Sequence, residues 1–268
     1  FEFVYTTNNT NHSQAVQVTY VPPPSYDLQP TVVVSPTSAL ESQEIDVTWT
    51  VINNGPDSPS GAWYDAILLA PNGNLSQAVE LARFSYAQGL AAGHTYTRTE
   101  RVRLPGKIQG LYTIYVRTDS AGEVAEWNEN NNTLRAPQDV VVSLKSRPDL
   151  QVVSVQAPDR VQGEGVIDVI WDVINLGTAD TPTGGSRWTD GVYISLDHRL
   201  DGGDRLLGSL ANGSALARGE SYRSTAHYTL PAGVGGNVYI LVVTDNGNAV
   251  DEYPYDGNNV YAWPLAVD

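Results

Sequence analysis

Ile45-Asp46-Val47-Thr48-Trp49-Thr50-Val51-Ile52-Asn53-Asn54-Gly55 decides the fold, because its apolar residues recur with a period of two. Ile45, Val47, Trp49 and Val51 share one face of an extended strand, while Asp46, Thr48 and Thr50 take the other. The same stretch returns 122 residues later as Ile167-Asp168-Val169-Ile170-Trp171-Asp172-Val173-Ile174-Asn175-Leu176-Gly177, with eight of eleven positions identical. The offset grows to 125 at Trp63/Trp188 and to 126 at Leu90/Leu216, then holds through Thr118-Asp119/Thr244-Asp245 and Glu126/Glu252. The added residues therefore fall between conserved blocks, where loops accept them. Upstream, Asp27-Leu28-Gln29 matches Asp149-Leu150-Gln151 at the original 122.

A partial third copy stands at the start of the chain. Glu2 to Asn9 matches Glu252 to Asn259 in spacing, so Asn-Asn recurs at 8, 131 and 258, each pair followed by an apolar-rich stretch. The expected organisation is the end of a preceding repeat plus linker over 1–22, a first sandwich over 25–144 and a second over 147–268. Short alternating runs such as Tyr112, Ile114 and Val116, punctuated by Asn54-Gly55, Asn72-Gly73, Asn212-Gly213 and Asn246-Gly247, read as strands joined by tight turns. Val238 to Val243 is apolar on both faces, the pattern of a strand covered on both sides. With no capped 3.6-residue apolar stripe, the fold class is all-β: tandem immunoglobulin-like antiparallel β-sandwiches.

Composition removes whole classes of function. The 268 residues contain no Cys and no Met, which excludes disulfides, thiol nucleophiles and sulfur-ligated metals. A formal charge of −15 repels nucleic acid. The six-residue run Val238 to Val243 is far short of the roughly 20 residues that cross a bilayer, so no membrane insertion is expected in this segment. Residues 1–20 lack the pattern of a signal peptide, and a secretion signal is expected outside this sequence.

The repeated motifs are W-x-V-x-N-x-G at Trp49 to Gly55 and Trp171 to Gly177, L-x-x-G at Leu90 to Gly93 and Leu216 to Gly219, and T-D-x-x-x-x-V-x-E running toward Asn-Asn. Together they resemble the CARDB family, a cell-adhesion-related repeat of bacterial and archaeal surface and secreted proteins. The resemblance implies an immunoglobulin-like sandwich, an extracellular or cell-surface location and no catalytic residues. The second copy matches more closely, carrying Trp188-Thr189-Asp190 and the Leu200 to Gly208 stretch, where the first reads Ala70-Pro71-Asn72-Gly73-Asn74.

Several residue groups invite a chemical reading. No G-x-S-x-G or H-E-x-x-H motif is present, and none of His12, His94, His198 and His227 recurs in the other repeat, so no catalytic set is assigned. Asp119, Glu126, Asn131 and Asn132, with Asp245, Glu252, Asn258 and Asn259, read as structural loop residues: Asn tolerates left-handed backbone and bonds the main chain two residues on, and the glutamates are expected to accept backbone N–H groups across their own loop. Asp197, Asp201 and Asp204 gather around a Gly-Gly turn and leave two readings, a solvated acidic turn or a calcium site confined to the second repeat. No other cofactor is required. Trp49 and Trp171 are expected in the cores. Tyr253, Tyr255, Tyr261 and Trp263 are candidates for stacking on sugars, against the alternative that they fill the core edge. The leading function is a structural and adhesion module whose Pro-rich joints, Val21 to Tyr26 and Lys145 to Pro148, favour a semi-rigid rod. Its partners are neighbouring repeats or copies of the same protein, and Val16, Val18 and Tyr20 need a sheet to cover them. The other reading is a carbohydrate-binding accessory module that takes surface glycans.

Overall fold

A computed structural model describes residues 11–19, 25–59, 61–183 and 188–268. The partial repeat at 2–9, Tyr20 and the linker residues 21–24 lie outside the described residues. Residues 11–19 form no strand, and Val16 and Val18 are exposed. The chain divides into two compact units, one made of the residues up to Leu104 with Gly110–Val142 and the other of Pro105–Gln109 with Ser143–Asp268.

The first unit is a sandwich of two sheets. β1 (Leu28–Val34), β3 (Glu44–Asn53) and β6 (Thr95–Arg103) form one. The other runs in the order β2 (Ser38–Leu40), β9 (Val140–Ser143), β7 (Gly110–Arg117), β4 (Trp63–Pro71) and β5 (Val79–Tyr86), with β8 (Thr133–Arg135) also paired to β7. The second unit repeats the plan. Its three-stranded sheet is β10 (Leu150–Gln156), β12 (Val166–Asn175) and β15 (Ser221–Thr229). Its five-stranded sheet runs β11 (Arg160–Val161), β17 (Val260–Val267), β16 (Gly236–Val243), β13 (Thr189–Ser195) and β14 (Arg205–Ala211). All-β tandem immunoglobulin-like sandwiches are therefore what the alternation led one to expect. One refinement is that β11 pairs with β17 in parallel, so the chain switches sheets early in the repeat.

The period-two alternation sets the cores. Ile45, Val47, Trp49 and Val51 are buried on β3, and Ile167, Val169, Trp171 and Val173 on β12. β16 is buried on both faces, with Leu241 and Val243 covered as fully as Ile240 and Val242. The two opening strands carry the same irregularity: β1 shifts register between Pro30 and Val32, β10 between Val152 and Ser154. Such a bulge re-aims the strand and strengthens its twist.

The turn dipeptides work differently from their sequence reading. Asn72 and Gly73 both take positive φ, as a hairpin turn requires. The other three Asn-Gly pairs do not; in the 246–247 loop it is the flanking Asp245 and Asn248 that adopt the left-handed conformation. Gly55 and Gly177 are needed for close approach instead. A Cβ on Gly177 would lie 2.4 Å from the Arg147 carbonyl oxygen and 2.5 Å from the Asp149 nitrogen, and one on Gly55 2.2 Å from the Ser25 carbonyl oxygen. These neighbours are backbone and have to move bodily. Gly177→Ala is expected to destabilise the second sandwich by about 1–3 kcal/mol, read as a lower urea midpoint, whereas the open Gly213 should accept alanine without loss.

Candidate functional site

The motif residues meet at two places in each sandwich: a polar pin through the core and a corner that ties the first strand to the last loop. In the pin of the first sandwich, the Trp49 indole N–H donates to Asp65 Oδ2 at 2.7 Å and the Tyr96 hydroxyl donates to the same oxygen at 2.6 Å. The Thr118 hydroxyl donates to Asp65 Oδ1 at 2.7 Å, and the Trp63 indole N–H reaches the Tyr96 oxygen at 3.2 Å. Trp49 and Tyr96 belong to one sheet and Asp65 to the other, so one fully buried carboxylate joins the layers across the core. Burial pushes the Asp65 carboxyl up from its ordinary value, against the lowering effect of its hydrogen bonds, and raises the Tyr96 hydroxyl as well.

The second sandwich rebuilds the pin with Trp171 at 2.7 Å and Tyr222 at 2.6 Å from Asp190 Oδ2, and Trp188 at 3.2 Å from the Tyr222 oxygen. Burial again raises the Asp190 carboxyl. The W-x-D motif thus belongs to both copies, since Trp63-Tyr64-Asp65 does what Trp188-Thr189-Asp190 does. An acidic residue on the inward register of an apolar strand was the signal for it.

The corner is built around Asn53 and Glu126. Asn53 is fully buried: its Oδ1 accepts the N–H groups of Asp27 and Gly55, and its Nδ2 donates to the Asp57 and Leu90 carbonyls. Asn175 makes the corresponding four bonds to Asp149, Gly177, Ala179 and Leu216. Glu126 accepts the Leu28 N–H and, at 2.7 Å, the Asn132 amide N–H. Glu252 accepts the Leu150 N–H and the Asn259 amide N–H, both at 2.5 Å. The glutamates therefore bind the opening strand of the repeat, about a hundred residues away, where a bond within their own loop was expected. Nor do the asparagine amides bond the main chain: Asn131 Nδ2 donates to Asp27 Oδ1 at 2.8 Å and Asn258 Nδ2 to Asp149 Oδ1 at 3.0 Å. All four amide oxygens are buried without a hydrogen-bond partner, so the corner is held through the nitrogen side of each amide.

Asp119 and Asp245 close the intervening loop. Each stands at positive φ and accepts two backbone N–H groups, those of Glu123 and Val124 in one case and of Ala249 and Val250 in the other. That turns Val124 and Val250 into the cores. Burial raises the carboxyls: Glu126 and Glu252 are pushed up to about 7, Asp119 to about 6, and Asp245 upward. Oxygens of Asp119, Glu126 and Glu129 lie within 4.8 Å of one another, but N–H donors already occupy this trio, Glu129 accepting from Glu126 at 2.8 Å.

The remaining candidates make local contacts. Asp201 Oδ1 accepts the Gly203 N–H at 2.7 Å, Asp204 Oδ2 the Asp201 N–H at 2.7 Å, and Asp197 Oδ1 the Arg199 N–H at 2.7 Å. Each carboxylate thus folds its own stretch of loop. Tyr261 and Trp263 share a face of β17 with buried Leu265 and Val267 and pack against the core, while Tyr253 and Tyr255 sit in the loop before it. Among the described residues the four rings make no pair with one another. No described helix is long and apolar enough to cross a membrane.

Comparison with known proteins places these motifs. Among solved structures, the CARDB domain of PF1109 from Pyrococcus furiosus, solved in complex with di-metal ions, is 20% identical over 47% of this chain and 100% of its own, with a TM-score of 0.35. The fibronectin(III)-like modules of Clostridium thermocellum CbhA are 12% identical over 90% of this chain and 94% of theirs, with a TM-score of 0.27. Red sea bream transglutaminase is 13% identical over 94% of this chain and 32% of its own, with a TM-score of 0.32. No curated protein matches. The CARDB family model matches residues 25–136 and 147–262, which together hold every residue of both pins and both corners, and the chain belongs to the CARDB family.

Proposed function

We propose that this chain is a non-catalytic structural and adhesion module of an extracellular or cell-surface protein, whose tandem sandwiches act as a semi-rigid spacer. The observation that supports this most is the use of the recurring polar residues. Asp65, Asn53, Asp119 and Glu126, with Asp190, Asn175, Asp245 and Glu252, spend their hydrogen bonds on the strands and loops of their own sandwich. What the repeat preserves is therefore mechanical: opening strand, closing loop and both sheets are tied together, as suits a unit that transmits load or sets distance. Proline-containing joints favour extended geometry over folding back. Small-angle scattering on the chain tests the spacer: an elongated particle is expected, and a maximum dimension close to that of one compact globule would overturn it.

A further inference from the structure

The two sandwiches differ at one lateral seam, where the edge strand of one sheet faces the edge strand of the other. In the first sandwich that seam lies between β5 and β6 and opens a groove of about 380 Å³ lined by Ser85, Tyr86, Gln88, Tyr96, Thr97 and Arg98. Register fixes the comparison. Tyr86 stands opposite Trp63 and Arg98 opposite Trp49; the second sandwich places Asn212 opposite Trp188 and Ser224 opposite Trp171. The Trp–Asp–Tyr bonds of the pin recur beneath both seams, although Thr118 bonds Asp65 Oδ1 while Asp190 Oδ1 and Thr244 Oγ1 are buried without a partner. The ring and the guanidinium of the first seam are therefore additions that these bonds do without in the second.

Tyr86 and Tyr96 are stacked, with centroids 3.8 Å apart and planes 13° from parallel. Trp63 lies 4.9 Å from Tyr86 and 6.2 Å from Tyr96. These three separations make a right angle at Tyr86, so Trp63 meets the edge of that ring and neither neighbour covers the face opposite Tyr96. Arg98 is fixed beside it: its Nε donates to Glu100 at 2.6 Å and its Nη1 to the Ser85 carbonyl at 2.6 Å, with the guanidinium 5.2 Å from the Phe84 ring. Its charge is thereby compensated, and the chain around it carries a formal −15, which disfavours an anionic ligand. A rigid ring face rimmed by amide, hydroxyl and guanidinium donors suits a ligand with one apolar face and a polar periphery.

We infer that the Tyr86–Arg98 seam of the first sandwich binds a neutral pyranose saccharide, its C–H face on Tyr86 and its hydroxyls toward Arg98 and Gln88. This goes beyond the spacer role, which stands or falls on particle shape instead. The test titrates the full chain, one sugar at a time, with the neutral cellobiose, maltose and diacetylchitobiose and with a sulfated disaccharide as anionic probe, following saturation-transfer NMR and tryptophan emission. Saturable binding of at least one of the three neutral sugars is expected. Tyr86→Asn, which installs the residue of the second sandwich at that register, should weaken it about tenfold or more, and Tyr86→Phe should retain it. Arg98→Ser should weaken it as well, with melting curves confirming that each variant is folded. Failure of all three neutral sugars to bind, binding unchanged in folded Tyr86→Asn, or preference for the sulfated disaccharide would each overturn the assignment.

Discussion

Replacing Trp171 by alanine is expected to lower the stability of the second sandwich by about 3–5 kcal/mol, and Trp49→Ala to do the same to the first. Both rings are fully buried, so truncation leaves a large cavity between sheets that close only partly around it. Each also donates its indole N–H to the buried carboxylate that pins the sheets together. Trp171→Phe separates the two contributions: most of the ring volume stays while Asp190 Oδ2 keeps only Tyr222, at a cost of about 1–3 kcal/mol. Urea unfolding monitored by circular dichroism measures both, with the unaltered sandwich as internal reference. Since a domain holds only about 5–15 kcal/mol in total, Trp171→Ala should abolish much of the second transition. A loss below about 1 kcal/mol would mean that the inward face of β12 has been misidentified.

The sequence carried the strand facings because a half-buried strand writes its geometry directly into alternation, and Ile45 to Val51 and Ile167 to Val173 do so twice. It carried the repeat unit for the same reason. The pin was harder to see. Asp65 and Asp190 interrupt apolar strands, and an isolated acid is ordinarily read as surface; only its inward register and its recurrence after tryptophan mark it as core. Turn chemistry misled at Asn54-Gly55, where the dipeptide resembles a hairpin turn but the working residues are Asn53, which makes four bonds, and Gly55, which lets the chain pass Ser25. Leu176 in the place of Asn54 was the clue. The partners of Glu126 and Glu252 could not be read from spacing, because a bond to Leu28 or Leu150 depends on which strand the fold lays against the loop. The seam groove was illegible for a related reason: Tyr86 and Arg98 look like any surface residues until pairing sets them beside Tyr96, at the registers that Asn212 and Ser224 hold in the other copy.

The corner glutamates are expected to make stability fall as pH rises, the reverse of a protein held by surface ion pairs. Burial raises Glu126 and Glu252 from 4.5 to about 7, so between those values the folded chain holds a proton that the unfolded chain has released. The stabilisation is complete below pH 4.5 and is lost as pH climbs through 7. Asp119, raised to about 6, and Asp65, Asp190 and Asp245, all raised by burial, act in the same direction. Asp172 works against them only in acid: hydrogen bonding to Arg223 holds it near 2, so its contribution disappears as pH drops through that value. Each glutamate accounts for about 1–2 kcal/mol between pH 5 and pH 8, after allowance for residual solvent screening. Both sandwiches should therefore melt lower at pH 8 than at pH 5. Glu252→Gln keeps an acceptor for the Leu150 N–H and removes the charge, so it should flatten the decline of the second transition alone and leave that sandwich more stable than the unaltered chain at pH 8. Melting temperatures that rise between pH 5 and pH 8, or a Glu252→Gln variant with an unchanged slope, would show that these carboxyls titrate as ordinary exposed ones and that the corner is not dry.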